Sequence, residues 1–135
     1  MTAELVRKAV SAYFAALRAM DADAWVATFA EDGVTQDPAS SPPVRGHAAL
    51  KQLAGEMWGP WQQVGLQEQE IFVVANVAAV KWAGKGRAKN GRDLQFEGID
   101  VITVNERGKI QFLQGYWDTS VLAQLAAKSQ AWEVC

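Results

Sequence analysis

Cysteine and histidine are almost absent from this chain. The one cysteine, Cys135, is the last residue, and the one histidine, His47, opens a helical stretch. A lone thiol closes no intramolecular disulfide and suits a reducing compartment. With so few nitrogen and sulfur ligands, no His/Cys metal site is expected, and His47 reads as a capping or solvated residue. A basic block is missing too. Thirteen Lys and Arg against fifteen Asp and Glu leave a net charge of −2, so nucleic acid is not an expected partner. No apolar run is long enough to span a bilayer, and no charged segment followed by an apolar one opens the chain. These absences lead to the expectation of a soluble cytoplasmic protein without a membrane partner. What is plentiful is tryptophan, six in 135 residues, within a composition that is 50% hydrophobic. Residues 1–135 fit one domain with a core of ordinary size. So many large indoles suit an apolar cavity or an apolar interface.

The hydrophobic period divides the chain in two. Residues 3–20 carry Leu5, Val6, Ala9, Val10, Tyr13, Phe14 and Leu17 at helical spacing. After the Asp21 and Asp23 caps, a short second helix presents Trp25, Val26 and Phe29, with Glu31-Asp32-Gly33 expected to end it. Residues 34–37 read as a brief strand, and residues 47–58 as a third helix ended by Gly59-Pro60. From Val64 the period becomes 2, predicting strands at 64–75, 77–88, 93–105 and 109–117, with Asn90-Gly91 as the strongest hairpin signal. Residues 118–129 suggest a final short helix, with Val121, Leu122 and Leu125 on its apolar side. The expected fold is α+β: three N-terminal helices packed on a strongly curved antiparallel sheet, forming a cone with an apolar interior.

Two carboxylates stand out. Asp37 ends a short apolar run immediately before Pro38, which biases it toward extended geometry at a strand end. Its side chain could face a cavity there; Asp-Pro is equally an ordinary turn signal. Asp100 shares a strand face with Phe96, Ile102 and Val104, whereas Glu97 falls on the more polar face. A carboxyl in apolar company tends to keep its proton, and as a neutral acid it donates a hydrogen bond. A shifted strand register or a distant cation would remove that reading. Tyr13, inside the apolar stripe of the first helix, is either a core tyrosine or a phenol directed into a pocket.

Together, Tyr13, Asp37 and Asp100 give the chain its resemblance to a known family. The segment 12–17 around Tyr13, the run Phe29 through Pro38, the continuation Ser41 through Leu50, Glu97-Gly98-Ile99-Asp100 and Gly115-Tyr116-Trp117 resemble the bacterial Δ5-3-ketosteroid isomerases of the NTF2-like/SnoaL-like superfamily. The likeness spans about residues 5–118. Phe29 and Ala54 stand where some members carry further tyrosines. The resemblance implies a steroid delta-isomerase. Asp37 would remove a proton next to a ketone and return it two carbons along, while Tyr13 and protonated Asp100 stabilise the dienolate oxygen. No cofactor and no metal are implied. The expected substrate is an apolar small molecule, a steroid or similar polycyclic ketone, lined by Phe29, Trp82, Phe96, Trp117, Met57 and Trp58, with Trp25 as a further candidate. The superfamily also implies a homodimer through the outer sheet face, where Ile71, Ile99, Val101 and Leu113 are expected. Two other readings remain open at this point. One is a SnoaL-like cyclase or an isomerase of another apolar ketone. The other is a non-catalytic NTF2-like module that binds an apolar ligand.

Overall fold

A computed structural model describes residues 2–127. Its elements in chain order are α1 (Ala3–Ala19), α2 (Ala22–Ala27), β1 (Phe29–Gln36), β2 (Val44–Arg45), α3 (His47–Trp58), β3 (Trp61–Val74), β4 (Val77–Ala88), β5 (Asp93–Val104), β6 (Ile110–Trp117) and α4 (Ser120–Ala126). The six strands form one sheet in the order β2-β1-β6-β5-β4-β3.

Local signals explain most boundaries. Thr2 caps α1 by accepting the Leu5 N–H at 3.1 Å, and Asp21 caps α2 by accepting the Ala24 N–H at 3.0 Å. Gly91 takes a φ of 90° in the β4–β5 hairpin, a conformation that favours glycine. His47 bonds the Phe29 carbonyl at 2.9 Å; because a carbonyl only accepts, Nε2 donates. The apolar stripe of α1, with Val6, Val10, Tyr13, Phe14 and Leu17 all buried, joins Leu50 and Ala54 of α3 and the inward residues Val80, Trp82, Ile102 and Leu113 of the sheet in one core.

Three expectations need correction. The sheet is mixed, not antiparallel throughout: β1 runs parallel to β6, and β1 and β2 separate α3 from the first two helices. The second helix ends at Ala27, and Phe29 already belongs to β1. Gly33 therefore ends no helix. It lies where the β1–β6 register shifts, and a Cβ there would stand 2.8 Å from the Ile110 carbonyl oxygen, so close backbone approach explains the glycine. The outer face also differs from expectation. Leu113 is fully buried, and Ile71 packs against the core, because a bulge between Glu68 and Glu70 reverses the alternation of β3. Phe72, Val74, Ile99 and Tyr116 are the large apolar residues left exposed on the strands. The predicted last helix is present from Ser120 to Ala126; residues 128 and 129 of that expectation lie outside the described residues, as does Cys135. No helix among the described residues is long and apolar enough to cross a membrane.

Candidate active site

Strand pairing brings the two carboxylates together. Gln36 of β1 lies beside Gln114 of β6, so Asp37, one residue on, comes level with Gly115; Gly115 in turn pairs with Asp100 of β5. Asp37, Gly115 and Asp100 thus form one row across three strands, with no side chain in the middle. A Cβ on Gly115 would overlap Asp37 Oδ1, stand 2.6 Å from Asp37 Cγ and 3.2 Å from Asp100 Oδ1. The same device recurs along the inner face. Gly98 lies between Trp82 and Trp117, and Gly84 between Leu66 and Phe96. At Gly98 a Cβ would meet Trp82 Cζ2 at 2.6 Å and Trp117 Cβ at 2.9 Å. Glycine in a strand interior here marks close approach of large neighbours.

The segment carrying Asp37 is pinned. The Asp37–Pro38 peptide is cis. Ala39 N–H donates to the Gly115 carbonyl at 2.7 Å; the Gln36 amide donates to the Ser41 carbonyl and accepts from Gln114, both at 3.0 Å. Trp117 Nε1–H donates to Asp37 Oδ1 at 2.6 Å. Burial raises the Asp37 carboxyl above the ordinary range, and the Trp117 hydrogen bond opposes that rise.

Asp100 is in a different environment. It is 1% exposed, and neither carboxyl oxygen makes a hydrogen bond. Burial first, then the charge of Asp37, push it well above the ordinary carboxylate range. The Trp82 N–H approaches closely enough to offset part of this, without the geometry of a made hydrogen bond. Two carboxyls this close do not readily both ionise. The half-buried, indole-bonded Asp37 gives up its proton first, and Asp100 keeps its own. Tyr13 is likewise raised well above its ordinary value by burial, then by Asp100 and Asp37, so it remains a neutral phenol. Its ring sits edge-on to Phe14 and Phe29, with centroids 5.1 and 6.1 Å away.

Above this cluster is a cavity of about 350 Å³. The expected residues Asp37, Met57, Trp58, Trp82, Phe96 and Trp117 line it, as does Trp25. Tyr13, Asp100 and Phe29 do not; they are sealed under its floor, at 2%, 1% and 1% exposure. Leu53 of α3, and Trp61, Val64 and Leu66 of β3, belong to the wall without having been expected there. Trp61 lies before the strand start expected at Val64, and a register shift between Trp61 and Gln63 separates it from the regular alternation of Val64 and Leu66. Helix α4 contributes Val121, Leu122 and Leu125 to the wall, so this helix covers part of the cavity. The helix is held from the β4–β5 hairpin: Asn90 Nδ2 donates to the carbonyls of Gln124 and Ala127, both at 2.9 Å, and more weakly to Leu125 at 3.4 Å. Glu97 is exposed and pairs with Lys81 at 3.0 Å. Among the described residues, no group of three or more His, Cys, Asp or Glu is placed to hold a metal ion.

An α+β fold with helices on a curved, mixed six-stranded sheet around an apolar cavity is the architecture of NTF2-like proteins. The SnoaL-like domain family matches residues 10–112, and the chain belongs to that family within the NTF2-like superfamily. It is 30% identical over 119 residues to the steroid Delta-isomerase of Nocardioides simplex, an alignment covering 87% of this chain and 92% of that one. Among solved structures it resembles SalBIII, an epoxide hydrolase/cyclase-like enzyme in pyran ring formation in salinomycin. The TM-score is 0.76 at 22% identity, covering 85% of this chain and 92% of the other, a likeness of fold. The family and its isomerase relative support an enzyme in general.

Proposed function

We propose that this protein is a cofactor-independent isomerase of the ketosteroid isomerase type, moving a C=C bond into conjugation with the ketone of a steroid-like substrate. The observation that carries the reading is the row Asp37–Gly115–Asp100, two carboxyls in contrasting environments beneath an apolar cavity. Ionised Asp37 takes a proton from the carbon between the ketone and the alkene. The electron pair moves into a dienolate whose oxygen accepts hydrogen bonds from Tyr13 and neutral Asp100. Protonated Asp37 then returns the same proton two carbons along, leaving the conjugated enone and the starting enzyme. The donors lie under the floor, so the ketone oxygen enters between the indoles that cover them. The cavity volume falls in the range of small-molecule sites. Its wall is chiefly aliphatic and indole, which suits a rigid fused-ring body.

The test follows the enone absorbance with purified protein and 5-androstene-3,17-dione. Turnover nearly abolished by Asp37→Asn and strongly reduced by Asp100→Leu supports the base and donor roles. A second reading, acid–base cyclisation or isomerisation of another apolar ketone, draws on the same carboxyl pair. Binding of the steroid phenol equilenin without turnover of the dione would favour it. The exposed residues Phe72, Val74, Ile99 and Tyr116 suit a homodimer interface on the outer sheet face. Sedimentation of a monomer at micromolar concentration would remove that part of the proposal.

A further inference from the structure

The buried polar atoms without a hydrogen-bond partner include Trp25 Nε1, Trp82 Nε1 and both carboxyl oxygens of Asp100. All belong to the cluster beneath the cavity. Leaving buried donors and acceptors without a protein partner is costly, and native proteins rarely do it without a reason. Trp25 and Trp82 are each 2% exposed, and both also line the cavity. Trp25 lies beside Tyr13, with ring centroids 6.4 Å apart and planes tilted by 45°. Trp82 lies opposite Gly98, two residues before Asp100 on the same face of β5, and the absent Gly98 side chain leaves room for the N–H-bearing edge of its indole. One indole therefore stands next to each proposed oxyanion donor.

Indole N–H donates and never accepts. A phenol and a neutral carboxyl do both. Facing a donor-only neighbour, each must present an oxygen lone pair to it, which leaves its own proton to point elsewhere. Around them the core offers Phe14, Phe29, Val80 and Ile102, all apolar. Asp37 also faces Asp100 across Gly115, but its Oδ1 already takes the Trp117 N–H at 2.6 Å, so the acceptor still to be supplied is an oxygen entering from the cavity. We propose that Trp25 and Trp82 are positioning residues, donor-only indoles that direct the protons of Tyr13 and Asp100 toward the substrate oxygen. Negative charge arriving on that oxygen draws the two protons outward. Tyr13 and Asp100 then become better acceptors, and both indole hydrogen bonds tighten. This inference rests on the isomerase reading above.

The experiment separates the N–H from the ring. Site-specific replacement of Trp82 by 3-benzothienylalanine keeps the bicyclic shape and removes the donor. The expected result with 5-androstene-3,17-dione is a kcat lowered about five- to tenfold, the size of one lost hydrogen bond, with KM changed less than about twofold. Trp82→Phe should lose as much or more. In the unaltered protein, ¹⁵N-labelled indole resonances assigned by Trp25→Phe and Trp82→Phe should move downfield when 2-naphthol binds, while that of Trp61, farther along the wall against Phe96, stays near its place. Full kcat in the benzothienyl variant, or unmoved Trp25 and Trp82 resonances in the naphthol complex, overturns the inference and leaves the isomerase reading standing. Absence of turnover in the unaltered protein removes the isomerase reading and this inference with it.

Discussion

Gly115→Ala is the sharpest single perturbation of this site, because one methyl group would have to occupy the space that lets the two carboxyls meet. The new Cβ overlaps Asp37 Oδ1 and stands 2.6 Å from Asp37 Cγ and 3.2 Å from Asp100 Oδ1. Strand β6 cannot retreat, since it pairs with β1 on one side and β5 on the other. The mobile partner is the Asp37 side chain, and moving it breaks the 2.6 Å bond from Trp117. Overpacking costs about 1–3 kcal/mol and a lost charge-assisted hydrogen bond about 1.5–3 kcal/mol. Part of each is recovered by relaxation, so a destabilisation of about 2–4 kcal/mol is expected. Catalysis should suffer more: displacing a base by about 1 Å lowers the rate on the order of 100-fold. The assay is steady-state turnover of 5-androstene-3,17-dione beside a thermal melt. Gly55→Ala is the control. Gly55 lies in α3 with nothing within 4 Å of an added Cβ, so alanine should stabilise by about 0.5–1 kcal/mol and leave the rate unchanged. Gly115→Ala turning over within threefold of the unaltered protein would refute the geometry on which the proposed mechanism stands.

Three further expectations test the electrostatics and the cover. Trp117→Phe removes the hydrogen bond that favours ionised Asp37, so the Asp37 carboxyl should rise further and the acidic limb of kcat/KM should move to higher pH; an unmoved limb would mean that Asp37 is not the base. Asp100 is raised in the folded state, so it binds a proton that the unfolded chain has lost. Its contribution to stability is therefore complete below the unfolded carboxyl range near pH 4 and declines as pH rises, until Asp100 itself ionises. The stability of Asp100→Asn relative to the unaltered protein should accordingly increase from pH 4 to pH 7, by at most about 1.4 kcal/mol per pH unit; denaturant melts showing a constant difference would contradict a buried neutral acid. Asn90→Ala should free the last turn of α4, seen as faster amide exchange at residues 124–127 and faster release of equilenin; unchanged exchange would show that other contacts hold the helix.

How much of this was legible in the amino-acid order depends on how local each cause is. The stripe from Val6 to Leu17, the cap at Asp21, and the Asn90-Gly91 hairpin are set within a few residues, and all appear where the pattern puts them. The contrast between Asp100 and Glu97 follows from strand alternation alone, and the burial of one and exposure of the other agree with it. Alternation fails where the ladder is irregular. Ile71 faces inward because of the bulge in β3, a feature of pairing with β4 that β3 does not announce by itself. Phe29 continued a helical apolar face in sequence; pairing with Ile110, eighty-one positions away, makes it the start of β1. Gly115, unremarkable in the sequence, matters only because parallel β1 and antiparallel β5 flank β6 in a register that sets it between Asp37 and Asp100. The sequence by itself thus determined which side chains can titrate and which stretches present an apolar face, because residue chemistry and period are local. Tertiary structure alone decided which carboxyls share a row, which rings cover them and that α4 closes over the cavity, because strand register and helix docking depend on partners distant in the chain.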